Sequence, residues 1–227
     1  MTAHLLVVML VMSPLQQDTT GARILANVDA VMSGVEDFTV QLNVVANIER
    51  LSVPPMEVTM FYKRPDKIHF DAKGFALIPK EGIGATLGKL SERFTARDAV
   101  WDTLQGRSVY RLVLEPRSEK AKIRTMTLYV DPVRWTAERA VSASTDGRSI
   151  TATFTYGSFN NFWLPTALTV AFVAPPSGGP EPDLFSSEQS PAPRRQMPRS
   201  GTVEIRYSGY RINTGLAEEI FLKKDSP

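Results

Sequence analysis

There is no cysteine anywhere in the chain. That excludes disulfides, thiolate metal sites, a cysteine nucleophile and a lipid-modified N-terminal cysteine. Histidine is nearly as scarce. His4 sits beside an apolar leader-like run, which leaves His69 as the one imidazole beyond it. No glycine loop is built to cradle phosphates, and no His-Glu spacing suits a metal. No cofactor or metal is therefore expected. Neither sign of charge is in excess: a net charge of +2 gives no strong field for nucleic acid or a membrane surface. The apolar run Leu5–Met12 is too short to span a bilayer comfortably.

That run does suit an export signal. Ser13, Pro14 and polar Gln16–Thr20 follow it, as expected after a signal h-region. No Lys or Arg precedes it, so either the true start lies upstream or the leader is atypical. A buried N-terminal strand is the alternative. Residues 1–22 are read as the leader, and 23–227 as a single domain of ordinary soluble composition.

What is plentiful is period-two alternation. Phe38, Val40, Leu42, Val44, Ala46 and Ile48 fall on one side of a strand, and Thr39, Gln41, Asn43 and Asn47 on the other, with Val45 the exception. Alternation returns at Met56–Lys63 and, after the turn Arg64-Pro65-Asp66, at Ile68, Phe70 and Ala72, so a hairpin is expected. Further strands are expected around Tyr110–Leu114, Met126–Val130, Leu168–Phe172 and Val203–Tyr207. Trp135–Ser144 and Ile150–Tyr156 should flank a turn at Asp146-Gly147. One helix is expected over 23–35, from Ile24, Val28, Val31, Met32 and Val35. Ile83, Leu87, Leu90 and Phe94 also keep helical spacing, but Gly82, Gly84 and Gly88 weaken a helix by roughly 1 kcal/mol each. A short, poorly anchored amphipathic helix within 80–105 is the reading. Residues 174–201 are rich in Pro, Ser and Gly and read as a disordered loop between strands.

Five short stretches, in this order, carry a resemblance: Tyr62-Lys63-Arg64-Pro65-Asp66-Lys67-Ile68, Tyr110–Pro116, Leu128-Tyr129-Val130-Asp131, Trp163-Leu164-Pro165-Thr166, and Tyr207–Asn213. With a leader, one helix, a strand-rich body and an inserted helix, the chain resembles the LolA-like outer-membrane lipoprotein carriers and lipoprotein-sorting proteins. The resemblance covers 23–221. It implies an α+β fold: an incomplete antiparallel β-barrel with an N-terminal helix and a short lid helix on its concave side. It also implies a periplasmic carrier, not an enzyme. Such a carrier takes the acyl chains of lipoproteins or lipids into a hydrophobic cavity, between an inner-membrane donor and an outer-membrane acceptor, as a monomer and without nucleic acid. By the same resemblance Arg64 latches the lid. The 174–201 insertion departs from the family's common core.

The candidate cavity wall is Phe38, Val40, Leu42, Val44, Met56, Val58, Met60, Tyr62, Ile68, Phe70, Leu112, Leu114, Leu128, Phe154 and Tyr156. The candidate lid is Arg64, Ile83, Leu87, Leu90 and Phe94. The bland alternatives are a dry core for the wall, a satellite core for the lid and an exposed turn arginine for Arg64. Trp101, Trp135 and Trp163 read as core or rim. Two other functions compete. One is a LolA-like lipid-sensing or regulatory binding protein of the cell envelope. The other is a hydrolase using His69, which alternation places on the wet face.

Overall fold

The strands form where alternation places them, because each buries one apolar face and leaves the other polar. In the computed structural model, which describes residues 19–72, 89–174 and 199–222, helix α1 (Thr19–Ala30) leads into β1 (Asp37–Ile48). After it come β2 (Leu51–Ser52), β3 (Met56–Lys63), β4 (Lys67–Ala72), a single helical turn α2 (Leu90–Arg93), and β5 (Phe94–Leu104). The chain then runs through β6 (Arg107–Pro116), β7 (Ile123–Val130), β8 (Ala137–Ser144), β9 (Ser149–Phe159), β10 (Phe162–Val173) and β11 (Ser200–Ile212), and a 3-10 turn spans Glu218–Leu222.

All pairs are antiparallel, and the order is β4-β3-β1-β11-β10-β9-β8-β7-β6-β5, with β2 beside β1. Among the described residues the sheet does not close. Its two edges, β4 and β5, are consecutive in sequence, so the chain passes from one edge to the other between Ala72 and Lys89. The β5–β6 connection is tight: Gln105 and Gly106 both take positive φ (51° and 77°), which matches the twist of a hairpin. The Asp146-Gly147 turn joins β8 to β9 as expected.

Register lines up one apolar row across the concave face: Ala99, Leu112, Leu128, Ala140, Ala152, Val170, Val203 and Ala46 pair in succession. A second row runs Phe154, Leu168, Ile205, Val44, Met56. Ile24, Leu25 and Val35, from α1 and the turn after it, belong to the same core cluster, as do Leu90 and Phe94.

Several expectations need correction. The first helix runs Thr19–Ala30, so it takes in the last residues assigned to the leader, and 31–34 form turns instead of a helical end. Phe94–Leu104 is an edge strand, not part of an inserted helix. Its backbone is paired to β6 from Phe94–Pro116 to Leu104–Arg107. Ser200 and Gly201 open β11 and do not belong to a loop. Pro165 lies inside β10, at a register shift where no ladder N–H is required. Thr39, placed on the wet face, is 3% exposed. The leader to residue 18, the glycine-rich stretch 73–88 and the Pro-rich stretch 175–198 lie outside the described residues.

Candidate functional site

The predicted wall converges. Phe38, Val40, Leu42, Val44, Val58, Met60, Tyr62, Phe70, Leu112, Leu114, Leu128 and Phe154 are buried in one cluster, and Met56, Ile68 and Tyr156 pack against it. Alternation alone placed them on one face. It missed the neighbouring strands' share, Leu164, Leu168, Val170, Val203, Ile205 and Tyr207, although their period-two pattern was equally visible. It also missed Ala140 and Ala152, whose side chains are too small to advertise a wall. Of the lid candidates, Leu90 and Phe94 join the same cluster, while Ile83 and Leu87 lie outside the described residues.

At one end of the sheet the wall turns aromatic. Phe38 stacks on Tyr62 (5.0 Å between centroids) and meets Tyr210 edge-on (5.5 Å), and Tyr210 contacts Phe159 (4.8 Å). The Tyr210 hydroxyl donates to the Pro165 carbonyl (2.8 Å), and the Tyr156 hydroxyl to the Ala137 carbonyl (3.0 Å). Burial pushes the hydroxyls of Tyr156, Tyr207 and Tyr210 far up, so all three stay neutral. On the β5 edge, Trp101 shares a face with Ala99 and Leu112 and is 62% exposed. It packs on Tyr110, which stacks on Trp135.

Three polar side chains hold the helical elements. Asp29 of α1 caps α2 from outside: its carboxylate accepts from the Leu90 N–H (2.8 Å), the Ser91 N–H (3.1 Å) and the Ser91 hydroxyl. Arg117, just past β6, secures the other end of α2. Its Nε donates to the carbonyls of Ser91 (3.1 Å) and Phe94 (3.2 Å), and its backbone N–H to Arg93 (2.9 Å). Arg64 opens the cis Arg64–Pro65 corner and reaches the turn after α1, donating to the Ser33 carbonyl and to Glu36 (3.1 Å). Arg64 thus bonds the turn after α1, while Arg117 bonds the backbone at the end of α2. The closest backbone approaches of α1 are to β5 and α2.

The polar outer face holds a correction. His69 does lie opposite Ile68 and Phe70, but it is 7% exposed, not wet. The C-terminal 3-10 turn packs on β4, and the imidazole lies against Phe61 (6.0 Å). Lys63 and Lys67 both reach Glu218 in that turn and hold its carboxyl down at about 2. No group of three or more metal-ligating side chains occurs among the described residues.

No family model matches the sequence, and no curated protein matches it significantly. Solved structures do match its fold. A domain from Vibrio parahaemolyticus named for outer membrane lipoprotein sorting is 13% identical, over 89% of this chain and 96% of that one, at a TM-score of 0.64. A LolA superfamily protein from Nitrosomonas europaea is 11% identical, over 89% and 97%, at 0.61. The fold is LolA-like. A DUF1329 family protein from Desulfovibrio piger also matches the fold, at 12% identity, over 90% and 97%, with a TM-score of 0.65. No helix among the described residues is long and apolar enough to cross a membrane.

Proposed function

We propose that this chain is a periplasmic, exported carrier that shelters the acyl chains of a lipoprotein or lipid on its concave face and moves them towards the outer membrane. One observation carries the reading: a continuous apolar wall contributed by nearly every strand, faced among the described residues by one three-turn helix and one helical turn. The chemistry requires such a wall. Burying a methylene gains about 0.8 kcal/mol, so a tail of roughly fourteen costs on the order of 11 kcal/mol to leave in water. Cargo loading by an inner-membrane donor and unloading to an outer-membrane acceptor, with the carrier a monomer, complete the proposal.

A carrier must also let go, and the polar clasps suit that. The Arg64–Glu36 pair is exposed (38% and 69%), and such pairs contribute about 0–1 kcal/mol. The α1–β1 turn stays fixed through Asn213, whose side chain bonds the Glu36 N–H (2.8 Å) and the Gly34 carbonyl (3.0 Å), so α1 can swing away from β5 about a held end. Replacing Arg64 by Leu is expected to speed release of a fluorescent fatty acid several-fold in stopped flow, with little change in melting temperature. Unchanged release would remove Arg64 from the mechanism. The reading as a whole is tested by native mass spectrometry of the exported protein, purified gently from a bacterium with two membranes. Added mass matching a lipid or lipoprotein supports it. Apo protein that also fails to take up a fatty-acid probe overturns it.

A further inference from the structure

The pairing of β8 with β9 stops at Arg139–Thr153, while β9 runs on beside β10 as far as Phe159. Beyond that last pair the two strands part, and a cavity of about 340 Å³ opens between them. Its lining comes from both faces of the sheet. Phe154 and Tyr156 belong to the concave side, and Thr153 and Thr155 to the other. Residues of both faces thus meet at this slot, at the rim that carries the β5–β6 turn. Its volume matches roughly ten waters, counting about 30 Å³ for each.

Three arginines line this slot with one carboxylate. Arg107 (2.8 Å), Arg134 (3.5 Å) and the Thr136 hydroxyl (3.1 Å) surround Glu138, which is 6% exposed. Arg134 also forks onto Asp131 (3.1 and 2.6 Å) and stacks over Trp163 (5.0 Å). Two cations thus answer two carboxylates, and Arg139 is left over. Its Nε is shut off from water and has no hydrogen-bond partner. An unmet buried donor costs about 1–3 kcal/mol, more when charged, and a turn of the half-buried guanidinium towards the slot would let an incoming oxyanion remove that cost.

We propose that this slot is a binding site for an anionic oxygen group, phosphate or carboxylate, held by Arg139 at the junction of the apolar interior and the surface. An amphiphile with such a headgroup would lay its tail past Phe154 and Tyr156. That arrangement rests on the carrier reading, whereas the anion subsite does not. The Glu138 carboxylate is answered by its own arginines and sets the depth to which an anion can enter.

The side-chain Nε–H resonance of Arg139, assigned by its loss in Arg139→Gln, is followed by NMR as inorganic phosphate is added at constant ionic strength. A saturable shift is expected, absent with chloride and absent in Thr153→Glu, which puts a competing carboxylate at the slot and leaves Arg139 in place. Dodecyl phosphate is expected to bind about tenfold more tightly than dodecyl glucoside, and Arg139→Gln to erase that preference without lowering the melting temperature. A phosphate shift without uptake of either amphiphile supports the subsite, with a free anion as its ligand, while the carrier reading falls. Equal binding of both amphiphiles with an unmoved Arg139 resonance overturns the subsite and leaves the carrier reading standing.

Discussion

Replacing Asp37 by Ala lowers the melting temperature by about 10 °C, the largest loss expected from any single polar side chain here. Asp37 opens β1, is 3% exposed, and organises the returning end of the chain. Its carboxylate accepts from the backbone N–H groups of Thr214 (2.8 Å), Gly215 (2.9 Å) and Leu216 (3.1 Å), and from the Thr214 hydroxyl (3.3 Å). Alanine leaves three N–H donors without their acceptor. At about 1 kcal/mol or more apiece the loss is roughly 3 kcal/mol, and each kcal/mol moves a domain of this size by about 2–4 °C. The same clasp sets the acid limit. Burial alone would raise the Asp37 pKa, but the donors from Thr214, Leu216 and Gly215 outweigh it and hold it below the ordinary 3.8. A carboxyl depressed in the folded state contributes fully above its unfolded pKa and loses that contribution as pH falls. Stability should therefore decline below about pH 4, and Asp37→Asn should flatten that limb of the curve. Equal acid limbs in the wild type and Asp37→Asn, measured by thermal melts across pH, would show the carboxylate idle. The consequence reaches the proposed function, because the tail held by Asp37 also brings Asn213 onto Gly34 and Glu36, the end about which the proposal has α1 swing.

Nothing in the sequence announces this clasp, since its two halves are some 177 positions apart. The strands themselves were legible wherever one face is dry and the other wet: β1, β3, β4, β6 and β7 all show their alternation in the residue order. β5 was not. It is an edge strand with a register shift between Ala96 and Asp98, so its burial follows no period of two, and the spacing of Leu90 and Phe94 read as a longer helix. His69 misled for a related reason. Alternation gives the face of a strand correctly but not what covers that face, and here the C-terminal turn does. The apolar wall could be read from residue types, whereas the Arg139 slot could not, because it exists only where the pairing of two strands ends.

Replacing Ala152 by Phe is expected to weaken binding of a fluorescent fatty acid at least tenfold while moving the melting temperature by no more than a few degrees. Ala152 sits mid-row on the concave face, opposite Ala140 on β8 and Val170 on β10. Two readings of these alanines are physically sound, and they separate cleanly. Small inward side chains let a sheet curl tightly, and if the interior behind them is filled by the protein's own groups, a phenyl ring has nowhere to go. Overpacking then costs about 1–3 kcal/mol, and stability carries the whole effect. If the alanines instead leave a channel that a flexible tail fills, the ring settles into it at little cost to folding and the tail is excluded. Thr151→Phe, one residue away on the opposite face of β9, supplies the control: it adds the same bulk outside and should leave fatty-acid binding as it was. A large fall in melting temperature for Ala152→Phe, with the remaining folded protein binding the probe normally, would mean a solid interior at this row and would move the cargo site elsewhere on the concave face.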